Sequence, residues 1–110
     1  MDSISLSGLA REHLEQAREA HSGRSGHTVH GGQHHVLRQT LIAMRAGAAL
    51  DEHESPGEAT LQVLQGRVRL VAGGEGQDGA TGDLLVIPDA RHSLQVEEDS
   101  VVLLTVAKRP

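Results

Sequence analysis

Residues 59–72 read ATLQVLQGRVRLVA, two short runs of alternating apolar and polar residues parted by Gly66. Alternation with a period of two places successive side chains on opposite faces of a strand. Ala59, Leu61 and Val63 are therefore expected on an inward face, with Thr60, Gln62 and Leu64 pointing outward. A glycine between two such runs marks a turn. The same texture extends on either side of this stretch. Strands are predicted over 35–45, 48–53, 59–65, 67–72, 83–87, 91–97 and 101–107. They are divided by Gly47, Pro56-Gly57, Gly66, Gly73-Gly74, Gly82, Pro88-Asp89 and the acidic run Glu97-Glu98-Asp99. Many short strands separated by turn residues point to an all-β sandwich or barrel, not to βαβ units.

The chain begins differently. Leu6, Ala10, Leu14, Ala17 and Ala20 recur at three- and four-residue steps over 1–22, opposite Arg11, Glu12, Glu15 and Arg18. This predicts a short helix capped by Ser5 or Ser7 and stopped at Ser22-Gly23. Its narrow apolar stripe suits a helix lying on the domain surface or against a partner subunit. Residues 23–34, GRSGHTVHGGQH, form a Gly- and His-rich connector with room for a short edge strand. The expected organisation is thus a helix and connector over 1–34 and a barrel over 35–110.

At 110 residues the chain has room for one domain. It contains no Phe, Tyr, Trp or Cys. Its core must come from aliphatic residues; stacking platforms can come only from imidazole or guanidinium planes, and disulfides, thiolate metal sites and thiol nucleophiles are excluded. A net charge of −5 disfavours nucleic acid, and the eight histidines make that charge sensitive near pH 6. No apolar stretch reaches membrane-spanning length and no signal-peptide plan is present, so the expected compartment is the cytoplasm. The segments 83–87 and 101–107 are apolar on both faces. Such strands should be central or covered by a partner, and a homodimer is expected on that ground.

From Gly47 onward the chain resembles the cupin superfamily. Gly47, His53 and Gly66 in GAALDEHESPGEATLQVLQG fit the first cupin motif, and Gly82, Pro88 and His92 in GDLLVIPDARHSLQV fit the second. The resemblance covers roughly 35–107 and is closest to small stand-alone bacterial cupins. It implies a double-stranded β-helix, the jelly-roll barrel, with a short N-terminal helix added. In metal-bearing cupins two histidines and a glutamate of the first motif join one histidine of the second. Here His53 and His92 occupy two of these positions. Ser55 stands at the second histidine and Ala59 at the glutamate, with Glu58 one residue out of register. The second motif is one residue short before His92, and Val96 replaces its final asparagine.

The candidate metal ligands are therefore His53 and His92, on the expectation that both face one cavity. The ion would be a divalent transition metal: Zn, Fe, Ni, Cu or Mn. A stable site wants a third protein ligand, and the candidates are Asp51, Glu58, Gln39, Met44, His34 and His35. The cluster His27, His30, His34 and His35 reads either as an exposed connector or as a chelating stretch. Arg67 and Arg69 could hold a small anion or pair with surface carboxylates. The run Glu97-Glu98-Asp99 reads as a solvated turn, and Gly73-Gly74-Glu75-Gly76 as an acidic linker without the strand-to-helix setting of a phosphate loop.

Three functions stay open. One is a small-molecule-binding cupin with a possible divalent metal in its barrel. Another is a metal-dependent oxidoreductase or isomerase using His53 and His92. The last is a non-catalytic interaction module. Cupin reactions that need a tyrosine in the site, such as histidine–tyrosine sugar epimerisation and thiol dioxygenation, are disfavoured because the chain has none.

Overall fold

A computed structural model of the chain describes residues 1–54 and 57–108. Ser55 and Pro56, with the turn expected at Pro56-Gly57, lie outside or at the border of these residues. One helix, α1 (Leu6–Glu19), precedes nine strands: β1 (Arg24–His30), β2 (Leu37–Met44), β3 (Ala49–His53), β4 (Gly57–Gln65), β5 (Arg67–Ala72), β6 (Glu75–Ala80), β7 (Leu84–Ile87), β8 (His92–Val96) and β9 (Ser100–Lys108). They form two antiparallel sheets, a five-stranded one ordered β1-β2-β9-β4-β7 and a four-stranded one ordered β3-β8-β5-β6. The inner faces close on a core that includes Met44, Leu61, Val63, Val68, Leu94 and Val102. Strand parity over 59–65 is as read above, with Ala59, Leu61 and Val63 buried inside.

Ser5 caps the start of α1, its hydroxyl accepting the Gly8 N–H at 3.1 Å. At the other end Gly23 takes φ +73°, and its N–H donates to the Ala20 carbonyl at 3.0 Å. The helix lies on the outer face of the five-stranded sheet, where Ala10, Leu14 and Ala17 pack with Leu41, Ala43, Val101 and Leu103 in a second apolar cluster. Leu64, outward on β4, borders it. Val101 and Leu103, outward on β9, are thus covered by the chain's own helix.

Three expectations are corrected. Of the two alternatives for 83–87, central or partner-covered, the central one is overturned: β7 is an edge strand bonded to β4, and its outward Leu84 and Val86 are 59% and 74% exposed. Apolar residues on both faces therefore did not signal a middle position here. Residues 75–80, read as linker, form β6. Ala72 pairs with Glu75, so Gly73-Gly74 is a two-residue hairpin turn with φ +59° and +82°, both in the region that type I′ turns demand. The strand escaped notice because EGQDGA has no alternation. One glycine in it, Gly79, is needed for close approach: a Cβ there would lie 3.0 Å from Leu85 Cδ1 and 3.2 Å from Val63 Cγ2. Finally, Asp99 is no solvated turn residue. Its carboxylate accepts from Arg18 Nε of α1 at 2.7 Å and from the Ala46 N–H at 2.8 Å.

The connector also belongs to the sheet. β1 pairs along β2 from Arg24↔Met44 to His30↔Gln39, with an irregularity at Thr28/His30. The five-stranded sheet therefore begins before residue 35, with β1 as its edge. No helix among the described residues is long and apolar enough to cross a membrane.

Candidate functional site

His53 ends β3 and His92 begins β8, and the two are register partners at one end of the four-stranded sheet. Their ring centroids lie 4.4 Å apart at 61°, an edge-on contact. His92 alternates with Leu94 and Val96, all three buried, which puts its imidazole inside the barrel. His53 needs a different explanation. Leu50 pairs with Leu94, yet His53 pairs with His92, so β3 carries one residue more than β8 over this interval. Without that bulge, residues 50, 52 and 54 would share a face and His53 would point away from His92. The extra residue re-aims the strand and brings the ring round. It also means that Asp51 cannot be placed by simple parity with His53.

Both rings are held by their own strands. His53 Nδ1 lies 2.9 Å from the Asp51 carbonyl, and His92 Nδ1 lies 3.0 Å from the Ala90 carbonyl. A carbonyl oxygen can only accept, so Nδ1 is the donor in each contact, and in a neutral ring this assigns the proton to Nδ1 and leaves Nε2 as the acceptor. Histidines that ligate metals are commonly oriented in this way, by a backbone carbonyl accepting from the other ring nitrogen. His92 is buried and His53 exposed, so the pair is reached from the His53 side. Beside it, Arg91 Nε donates to Glu52 Oε1 at 2.8 Å. That hydrogen bond and the charge of Glu52 raise the Arg91 pKa above its ordinary value. Both side chains are more than half exposed, so the pair contributes little to stability.

The proposed third ligands are scattered. Gln39 sits on the outer face of the five-stranded sheet, where its Nε2 donates to Thr105 Oγ1 at 3.2 Å. Glu58 is exposed and alternates with buried Gly57 and Ala59, so it points outward as its one-residue offset implied. Met44 is fully buried in the barrel core. Asp51 is exposed. His34 and His35 are exposed in the loop between β1 and β2, and the His35 ring meets His30 at 4.8 Å. The remaining member of that cluster, His27, faces His13 of α1 at 5.2 Å. Among the described residues no three His, Cys, Asp or Glu side chains gather where they could share an ion. The donor set at His53 and His92 thus fits two coordination positions and falls short of a resident zinc or iron, which takes three or four protein ligands.

Sequence reasoning missed two features. One is the polar seam between α1 and β1. Ser25 Oγ donates to Gln16 Oε1 at 3.1 Å and lies 2.7 Å from His13 Nδ1, and His13 is buried on the same helix face as Ala10, Leu14 and Ala17. The other is a groove between β6 and β7, for which the Gly73-Gly74 dipeptide was the available signal. Arg69 pairs with Asp78 of β6 at 2.9 Å, so its expected carboxylate partner is found.

The same two-sheet barrel recurs in solved structures. An RmlC-like cupin from Desulfovibrio desulfuricans superposes with TM-score 0.75 at 25% identity, over 97% of this chain and 96% of that one.

This chain has the cupin fold.

A conserved protein of unknown function from Streptococcus pyogenes is similar at TM-score 0.73 and 26% identity, over 83% of this cupin and 79% of that chain. A salicylate 1,2-dioxygenase from Pseudaminobacter salicylatoxidans shares the fold at TM-score 0.75 and 20% identity, this cupin spanning 33% of its length. No protein-family model matches the sequence, and neither does any curated protein.

Proposed function

We propose that this cupin binds a small molecule, with the His53–His92 pair as the polar end of the site. The observation that carries this reading is the anchored pair. Two imidazoles with centroids 4.4 Å apart each have Nδ1 on a backbone carbonyl, which in the neutral rings leaves Nε2 of each as an acceptor. Such a pair accepts hydrogen bonds from a donor-bearing ligand. It also takes a divalent transition ion as an exchangeable partner, since two imidazoles without a third ligand hold it weakly.

The second reading is a metal-dependent oxidoreductase or isomerase with a resident ion on the same pair. What favours it is the anchoring of each Nδ1 on a backbone carbonyl, which in a neutral ring leaves Nε2 able to ligate. Metal analysis of untagged protein, purified without added metal, separates the two. Small-molecule binding with an exchangeable ion predicts metal content well below one per chain. Added zinc should then perturb both rings, and the response should vanish in His53→Ala and in His92→Ala. A stoichiometric ion that survives dialysis and is lost in either variant would overturn this reading in favour of the enzyme. Metal that disappears when residues 27–35 are replaced would be adventitious chelation by the histidine loop.

A further inference from the structure

β6 ends one sheet and β7 ends the other, so two unpaired edges flank an opening in the barrel wall. A groove of about 710 Å³ lies there, within the range of roughly 300–1,000 Å³ usual for small-molecule sites. Its floor includes Leu70 and Leu85, both 6% exposed, and its flank is the apolar pair Leu84 and Val86. The charged residues that line it are Glu75, Asp78 and Asp83, and no Lys, Arg or His is among the described lining. Neither His53 nor His92 lines it, but the groove borders their site, since Ala90, whose carbonyl anchors His92, and Ala72, the register partner of His92, are in its wall.

The three acids differ in how far they are compensated. Asp78 is neutralised by Arg69 at 2.9 Å. Asp83 accepts the Ala80 N–H at 2.8 Å, which orients the carboxylate and leaves its charge in place. Glu75 stands exposed beside the Gly73-Gly74 turn, with no ion pair among the described residues. An apolar floor under a rim of uncompensated negative charge selects by two criteria at once. It rejects carboxylates and phosphates through like-charge repulsion, and it rewards an alkyl or ring body through burial.

We propose that this groove binds a small organic cation with an apolar body, its ammonium group at Glu75 and Asp83 and its hydrocarbon part on Leu70 and Leu85. The inference is independent of the histidine pair. The test is an amide chemical-shift titration of the full chain with n-hexylammonium and, in parallel, hexanoate. The two probes share a chain length and differ in charge. Hexylammonium is expected to shift the Gly73, Gly76, Leu84 and Val86 amides saturably, while hexanoate leaves them unmoved. Glu75→Gln, whose side chain holds nothing else in place, should weaken hexylammonium roughly threefold to fivefold, as loss of one exposed ion pair does. Glu97→Gln, an exposed acid outside the groove, should leave it unchanged.

The proposal is overturned if hexanoate binds as well as hexylammonium, if Glu75→Gln has no effect, or if neither probe shifts these amides. It is equally overturned if the same amides move on dilution without any probe, because a second copy of the chain would then occupy the groove. A zinc titration of the same samples reads the histidine pair separately, so failure at one site does not pass for failure at the other.

Discussion

Arg18 and Asp99, 81 positions apart, meet at 2.7 Å and tie the helix to the turn between β8 and β9. The same carboxylate accepts the Ala46 N–H at 2.8 Å, so a single side chain joins α1, the β2–β3 turn and the start of β9. The Ala46 hydrogen bond, followed by the Arg18 contact, holds the Asp99 carboxyl below its ordinary value. A depressed carboxylate stabilises the fold above its unfolded pKa of about 3.9, and that contribution is lost as the pH falls through the folded value. Asp99→Asn should therefore cost roughly 0.5–1 kcal/mol at neutral pH, the low figure reflecting solvent screening of a half-exposed arginine. The difference from wild type should close in acid, once the pH has fallen below the depressed folded value. Urea unfolding at several pH values checks this, and a gap that stays constant into acid would contradict it.

A helix added to the outside of a barrel could be ornamental. Leu14 is 4% exposed between α1 and the sheet, which argues that this one is not. Leu14→Ala should cost about 3 kcal/mol, as buried leucine truncations do, in a single cooperative transition. Near-wild-type stability would mean that α1 is not part of the folding unit.

Gly66 adopts φ +100°, and a Cβ there would overlap Ser100 Oγ and the Asp99 carbonyl. Gly74 also has positive φ, at +82°, yet its Cβ would meet nothing within 4 Å. Gly66→Ala should accordingly lose about 3 kcal/mol or more, from strain and overlap together, and Gly74→Ala only about 1 kcal/mol, from strain alone. Thermal melts of the two variants side by side would show the ordering, and equal losses would refute the steric argument.

The Nδ1–carbonyl bonds of the histidine pair give a further expectation. Both rings should show the Nδ1–H tautomer in nitrogen chemical shifts of the neutral protein. Zinc should then shift Nε2 and leave Nδ1 protonated. An Nε2–H tautomer in either ring would remove the basis for proposing a two-nitrogen site.

Much of this protein could be read along the chain. Period-two alternation fixed which side of β4 is inside, and Ser5 and Gly23 marked the ends of the helix, because both signals are local. The resemblance to cupins carried by Gly47, His53, Gly82, Pro88 and His92 implied the jelly-roll barrel. What the chain alone could not decide were the features set by partners far away in sequence. Residues 83–87 and 101–107 look alike as apolar runs, yet one became an edge strand and the other a central one under the helix. Only long-range pairing distinguishes them. The bulge in β3 left no mark in ALDEH, since an extra residue is defined by what lies across on β8. It is that bulge, and not the parity of β3, which turns His53 toward His92 and creates the pair on which the proposed function rests.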